Sequence, residues 1–198
     1  MEDRVLDWAV YEKTAREMAA EGLVLLKNDN KAMPLKQGET VSVFGRMQNH
    51  YYKSGTGSGG AVNVPYVKNI LDGIKENNVF PVNEELVEIY KEWLKEHPFD
   101  NGGGGWAAEP WHQAEMEITD EIARRAAEKS EKAIFLIGRT AGEDKDYEDT
   151  EGSYLLTKRE KENLRIVTKY FDEVAVLWSA VFCVSKERFN SGNFAHKY

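Results

Sequence analysis

Lys132-Ala-Ile-Phe-Leu-Ile137 runs directly into Gly138-Arg-Thr-Ala-Gly-Glu-Asp-Lys-Asp146, and the reading of this stretch decides the fold. The first part is an apolar run of strand length. The second crowds Arg139, Glu143, Asp144 and Asp146 into a loop at its carboxyl end. In an open α/β sheet, ligands collect outside the carboxyl ends of the strands. A loop so charged, in that place, reads as built for a polar substrate, with Glu143 as the candidate catalytic acid. From the residues alone three readings stay open. The loop is a solvated charged face. Or Asp144, Asp146 and Glu148 alternate as cation ligands, although an EF-hand would need Gly where Asp149 stands. Or Glu143 is a carboxylic acid raised in pKa by crowding against Asp144 and Asp146, with Arg139 opposing the shift.

Outward from this stretch, helical and strand signals alternate. Asp7 is a candidate cap for a helix from Trp8 to about Glu21, with Trp8, Tyr11, Ala15, Met18 and Ala19 at helical spacing. Gly22 ends it, and Leu23-Val-Leu-Leu26 is predicted to be a short buried run. Thr40-Val-Ser-Val-Phe44 is predicted as a strand. A second helix is expected from Pro65, a short strand at Val79-Phe-Pro-Val82, and a third helix from about Asn83 to Glu96. A fourth helix starts at Thr119 or Asp120. Thr157-Lys-Arg-Glu160 is a capping box that opens a fifth, and Val174-Ala-Val-Leu177 follows as a strand. The order implies an α/β fold with a mostly parallel sheet and helices on both faces. Residues 1–177 are read as one such sandwich domain. Residues 178–198 are read as a divergent or irregular tail, so the sheet is expected to be incomplete at its C-terminal end.

Composition narrows the function. The 198 residues are 41% hydrophobic and 30% charged, with a net charge of −8. That is enough chain for a substantial core. The acidic balance argues against nucleic acid or an anionic membrane as partner and fits a neutral ligand. No apolar run approaches the roughly 18 residues of a membrane span. With no signal-peptide pattern at Met1 and a lone Cys183, the expected compartment is the cytoplasm. His50, His97, His112 and His196 show no metal-ligand spacing, so no metal or cofactor is expected.

Lys53-Ser-Gly-Thr-Gly-Ser-Gly-Gly60 formally contains the dinucleotide spacing of glycines. About ten residues separate it from the preceding strand, and no Gly-Lys-Ser/Thr is present, so nucleotide binding is disfavoured. It is either a surface turn or a loop whose glycines let backbone approach a ligand, with Ser58 offering a hydroxyl to a sugar. Tyr51, Tyr52, Trp106 and Trp111 add loop aromatics that either stack on sugar rings or cover a core edge.

Several motifs in order resemble one family. Ala15-Arg-Glu-Met-Ala-Ala-Glu-Gly-Leu-Val-Leu-Leu-Lys-Asn28 with Met33-Pro-Leu-Lys36 looks like the opening of the second domain of glycoside hydrolase family 3. Val43-Phe-Gly-Arg46 and the Tyr51–Gly60 stretch are similar to its sugar-facing loop. Gly138 to Asp146, then Glu151-Gly-Ser-Tyr-Leu-Leu-Thr157, resembles its acid/base loop. The resemblance implies the sandwich domain of a retaining β-glucosidase, from the bacterial branch in which this domain precedes a TIM-like barrel. It implies Glu143 as acid/base, Ser58 as a contact to the first-subsite sugar, and Arg139 as a supporting substrate-loop residue. The implied substrate is a β-glucoside or short oligosaccharide. The nucleophilic carboxylate would belong to the missing barrel, so the isolated chain is expected to be inactive, with an uncovered apolar edge formed by Tyr51, Tyr52, Trp106 and Trp111. The rival reading is a non-catalytic carbohydrate-binding or interaction module.

Overall fold

The structure, a computed structural model, describes residues 6–28, 32–60 and 62–179. Three parallel strands form one sheet in the order β1-β2-β3: β1 (Val41–Phe44), β2 (Lys132–Gly138) and β3 (Glu173–Ser179). The central strand pairs on both sides, Phe44 opposite Phe135 and Phe135 opposite Val176. Side chains alternate across it. Phe44, Ala133, Phe135 and Ile137 meet Leu86 and Tyr90 of α3 (Glu84–Glu96), Ala123 and Ala126 of α4 (Asp120–Lys129), and Leu164 and Val167 of α5 (Lys158–Tyr170). Val41, Val43 and Leu136 face the other way, onto Met47 and Tyr52, with Ile70 and Ile74 of α2 (Ile70–Asn77) packed alongside. The expected parallel sheet with helices on both faces is therefore what forms. β3 runs on through Trp178 and Ser179, opposite Ile137 and Gly138. Residues 180–198, the rest of the expected tail, lie outside the described residues.

Local chemistry sets the ends of the elements. The Asn83, Thr119 and Thr157 side chains each accept the backbone N–H three residues on and open α3, α4 and α5. At α5 the predicted capping box is complete: Thr157 N–H donates to Glu160 Oε2 at 2.7 Å, and Glu160 N–H donates to Thr157 Oγ1 at 3.1 Å. Among the described residues, no helix is long and apolar enough to cross a membrane.

Three expectations are corrected. The second helix starts at Ile70, not near Pro65. Asn69 takes the cap position and accepts Asp72 N–H at 2.7 Å, leaving Tyr66 and Val67 exposed in extended chain. The predicted strand at 79–82 reduces to one parallel bridge, Val82 to Val41. Pro81 there has no N–H to extend a ladder, though its carbonyl accepts from Val41 at 2.9 Å. The third correction is the largest. α1 (Trp8–Glu21) forms with Asp7 as its cap, but none of its residues is buried. Residues 23–26, expected inside, are exposed by 59% to 77%. Their apolar sequence is a burial signal, and no described element lies over it.

Candidate functional site

The acidic loop leaves β2 and turns back sharply. Gly142 N–H donates to Lys145 O at 3.1 Å and Lys145 N–H to Gly142 O at 3.2 Å, so Glu143 and Asp144 occupy the tip of a two-residue turn. Asp144 sits there at φ 60, a left-handed conformation that Asp tolerates. The glycine-rich loop docks against this turn. Thr56 N–H donates to Ala141 O at 3.1 Å, Glu143 N–H to Thr56 O at 3.3 Å, and Thr56 pairs with Gly142 in a parallel bridge. This short zipper joins chain segments 85 positions apart and delivers Ser58 N–H to Glu143 Oε2 at 2.9 Å.

Glycine is needed at the seam. Gly57 adopts φ +83, and a Cβ there would come within 2.9 Å of Glu143 Oε2 and nearer still to its Cβ. At Gly55, a Cβ would stand 2.6 Å from the Ala141 carbonyl oxygen. Two of the three glycines that mimic a nucleotide fingerprint in sequence, Gly55 and Gly57, thus serve close packing against the Glu143 turn, while Gly60 packs within its own loop against the carbonyls of Gly55 and Gly57.

A second strap comes from the loop after α3. Trp106 Nε1–H donates to Asp144 Oδ2 at 2.8 Å, and Trp111 Nε1–H to the Asp146 carbonyl at 3.0 Å. Lys145 donates to the carbonyls of Ala107, at 3.3 Å, and Glu109, and its ammonium lies 5.4 Å from the centre of the Trp111 ring. Thr140 N–H donates to Trp111 O at 2.9 Å. Of the four aromatics expected on an uncovered edge, Trp106 is widely exposed at 59%, whereas Tyr52 is buried at 8%. Tyr52 donates to Pro110 O at 2.6 Å and packs edge-on to Phe99. It is a core residue.

Arg139 is inside the protein, 1% exposed, and does not reach a surface where a substrate could sit. Its guanidinium grips both oxygens of Glu160 at 2.7 Å and donates to the carbonyls of Ser153 and Leu155. Glu160 is itself 2% exposed. One carboxylate therefore completes the cap of α5 and neutralises the arginine at the exit of β2. The capping box was legible; its second partner, 21 positions away, was not.

The charge state of Glu143 follows from these contacts. The Ser58 hydroxyl and then the Ser58 N–H hold its carboxyl below the usual carboxylate range, with burial opposing weakly. The expected crowding by Asp144 and Asp146 does not operate, because Asp144 turns to Trp106. Nor do the acidic side chains converge as cation ligands: among the described residues, no group of three or more His, Cys, Asp or Glu side chains comes together in that way.

Sequence reasoning passed over a further carboxylate. Both oxygens of Glu115 accept the Arg46 N–H, at 3.0 and 3.3 Å, at the end of β1. The residue is only partly buried overall, but its carboxylate is enclosed. That burial, with the Glu160 charge adding to it and Arg46 opposing, pushes its pKa up to about 8. Arg46 also ties Ala114 O, His97 O and Pro98 O together. In sequence it stands only as the last residue of the Val43-Phe-Gly-Arg46 motif, with no sign of these partners.

Comparison with known proteins agrees with this architecture. The glycosyl hydrolase family 3 C-terminal domain matches residues 23–193. The chain belongs to glycoside hydrolase family 3. It is 49% identical over 172 residues to a β-glucosidase of Ruminococcus albus, covering 87% of this chain and 18% of that protein. A β-glucosidase from Paenibacillus barengoltzii superposes with a TM-score of 0.89 at 56% identity, over 94% of this chain and 20% of that one. β-Glucosidase 3B from Thermotoga neapolitana, solved with α-D-glucose, gives 0.75 at 30% identity, over 87% and 24%. This family 3 chain thus spans about a fifth of the length of the relatives it matches.

Proposed function

We propose that this chain supplies the acid/base half of a retaining β-glucosidase centre acting on terminal non-reducing β-D-glucosyl residues. The observation that carries the reading is the zipper that fixes the Glu143 carboxylate against the Ser58 N–H on an exposed turn beyond the sheet's carboxyl edge. In this reading Glu143 protonates the glycosidic oxygen and later, as carboxylate, activates water. The nucleophilic carboxylate comes from a TIM-like barrel domain and stands about 5–5.5 Å away, as retention requires. The Ser58 hydroxyl meets a sugar hydroxyl. Arg139 positions the loop from beneath and does not touch sugar. Its β-glucosidase relatives, one solved with glucose, support the substrate class. The acidic charge and single cysteine fit a cytoplasmic setting.

Glu143 as it stands is ionised at neutral pH and cannot donate a proton. A general acid there needs its pKa raised, and a covering barrel would do this by desolvation and by the nearby charge of the nucleophile. The isolated chain should therefore not hydrolyse aryl β-glucosides, and its Glu143 should titrate below an ordinary glutamate by NMR. Joined to a family 3 barrel, Glu143→Gln should lower kcat on poor leaving groups by about 10²–10⁴-fold, and by less on activated aryl groups. Glu143-dependent turnover by the 198 residues alone defeats the proposal, as does equal activity of Glu143→Gln on both substrate types.

A further inference from the structure

Away from the Gly57–Ser58 tip, residues at the two ends of the glycine-rich loop line a cleft of about 400 Å³. Neither Glu143 nor Ser58 lines it. A second hollow of about 370 Å³ shares Tyr51, Lys53 and Ser54 with it, so the two meet at Tyr51. Both volumes are in the range of small-ligand pockets.

The chemistry of the walls is specific. Tyr51 and Phe99 give aromatic surface, with Phe99 held edge-on by His50 at 6.3 Å and Tyr52 at 5.5 Å between ring centres. Asn49, Asn69 and His50 add uncharged hydrogen-bonding groups, and Lys53 and Glu109 bring one charge of each sign. Burial, then the Arg46 charge, holds the His50 pKa below its ordinary value, so the ring is neutral at pH 7. The Arg46 guanidinium can only donate to His50 Nδ1, at 3.4 Å, which leaves the ring proton on Nε2. Burial pushes the Tyr51 phenol up, so it too stays uncharged. An anion would find no excess of positive charge here, and an apolar ligand would take the His50 Nε2–H and the Tyr51 hydroxyl out of water unpaired. A polyhydroxylated ring satisfies both kinds of wall: its C–H face on the aromatics, its hydroxyls on the neutral polar groups.

We propose that the Tyr51–Phe99 cleft is a second carbohydrate site, distinct from the Glu143 turn, that takes neutral glucosyl rings with Tyr51 as the stacking platform. It would hold an oligosaccharide to this domain without using the acid/base residue, and it does not depend on the barrel or on the catalytic reading.

Cellobiose titrated into the 198-residue chain, followed by amide NMR, tests this. Saturable shifts are expected at His50, Tyr51 and Phe99, with a Kd in the millimolar range, roughly −4 kcal/mol. Tyr51→Ala should weaken binding roughly fivefold to tenfold, and Tyr51→Phe should retain it. Glu143→Gln and Ser58→Ala should leave it unchanged. Thermal melts identify any variant that is unfolded, and His50→Ala replaces Tyr51→Ala if that one is. Absence of saturable shifts in the cleft overturns the proposal. So does loss of binding in Ser58→Ala with Tyr51→Ala unaffected, because the sugar would then sit at the Glu143 turn. Tighter binding of glucose 6-phosphate than of cellobiose, abolished by Lys53→Ala, would make the cleft an anion site and overturn it as well.

Discussion

The Glu143 loop and the N-terminal arm are both rich in signals that sequence reading can use, yet they end in opposite states. Residues 138–160 are strapped from three directions: the glycine-rich loop, the tryptophan loop, and the buried pair of Arg139 with Glu160. Residues 8–26 have good helical spacing, a working Asp7 cap and an apolar run, but none of α1 is buried and residues 23–26 stand in solvent. Local propensity makes α1 a helix; only long-range partners make the loop a site. Covering a Val or Leu side chain contributes about 1.5–3 kcal/mol, and the arm forgoes that stabilisation at four such residues in a row.

The sharpest way to break this contrast is to remove one support of the loop. Arg139→Met leaves Glu160 as an uncompensated buried carboxylate and should cost about 3–5 kcal/mol of stability, measured by denaturant unfolding. The double variant Arg139→Met/Glu160→Gln should recover part of that loss, since the stranded charge goes with it. A cost below about 0.5 kcal/mol would mean that the pair is not what holds the loop.

The second test uses pH. Because the Glu115 pKa is raised from 4.5 to about 8 in the folded state, the native protein binds more protons than the unfolded chain between those values. Stability is then fullest below about pH 4.5 on account of this group and declines as pH rises towards 8, flattening above. The loss is on the order of 5 kcal/mol. Glu115→Gln should remove that slope. An unchanged profile in the variant would show that the carboxylate is solvated or fully paired in the native state.

The third test concerns the seam. Gly57→Ala places a methyl group against the Glu143 side chain at a left-handed φ. It should destabilise by about 1–3 kcal/mol and shift the Glu143 resonance, because the Ser58 contact must open. The Glu143 pKa should move back up towards that of an ordinary glutamate. A Glu143 titration identical to that of the parent would mean that the seam tolerates the methyl group.

What was legible in the sequence divides along the same line. β2, the capped helices α3, α4 and α5, and the sheet with helices on both faces follow from short-range patterns: an apolar run, Asn83, Thr119 and the Thr157 box. The candidate residues Glu143 and Ser58 were named from motif and resemblance, but not their hydrogen bond, which depends on a backbone pairing 85 positions apart. The resemblance implies Arg139 as a supporting substrate-loop residue, yet it is buried against Glu160, which lies in the next helix and gives no local sign. The start of α2 was placed too early because Pro65 resembles a helix opener, while the Asn69 side chain is what satisfies the first free N–H groups.

The smallest expected effect lies in the arm, and it is informative because it is small. Val24 and Leu25 are 77% and 67% exposed, so Val24→Ser/Leu25→Ser should change the unfolding free energy of the 198-residue chain by no more than about 0.5 kcal/mol. Equal substitutions in the core, such as Leu164→Ala at 5% exposure, should cost about 2–5 kcal/mol. The serine pair should instead act on association. A run of exposed apolar residues promotes self-contact, so the concentration-dependent mass of the parent in light scattering should fall in the variant while its melting curve stays in place. Should the serine pair unfold the chain as readily as Leu164→Ala does, residues 23–26 must be buried in solution. The arm would then belong to the fold, and the contrast drawn with the Glu143 loop would be lost.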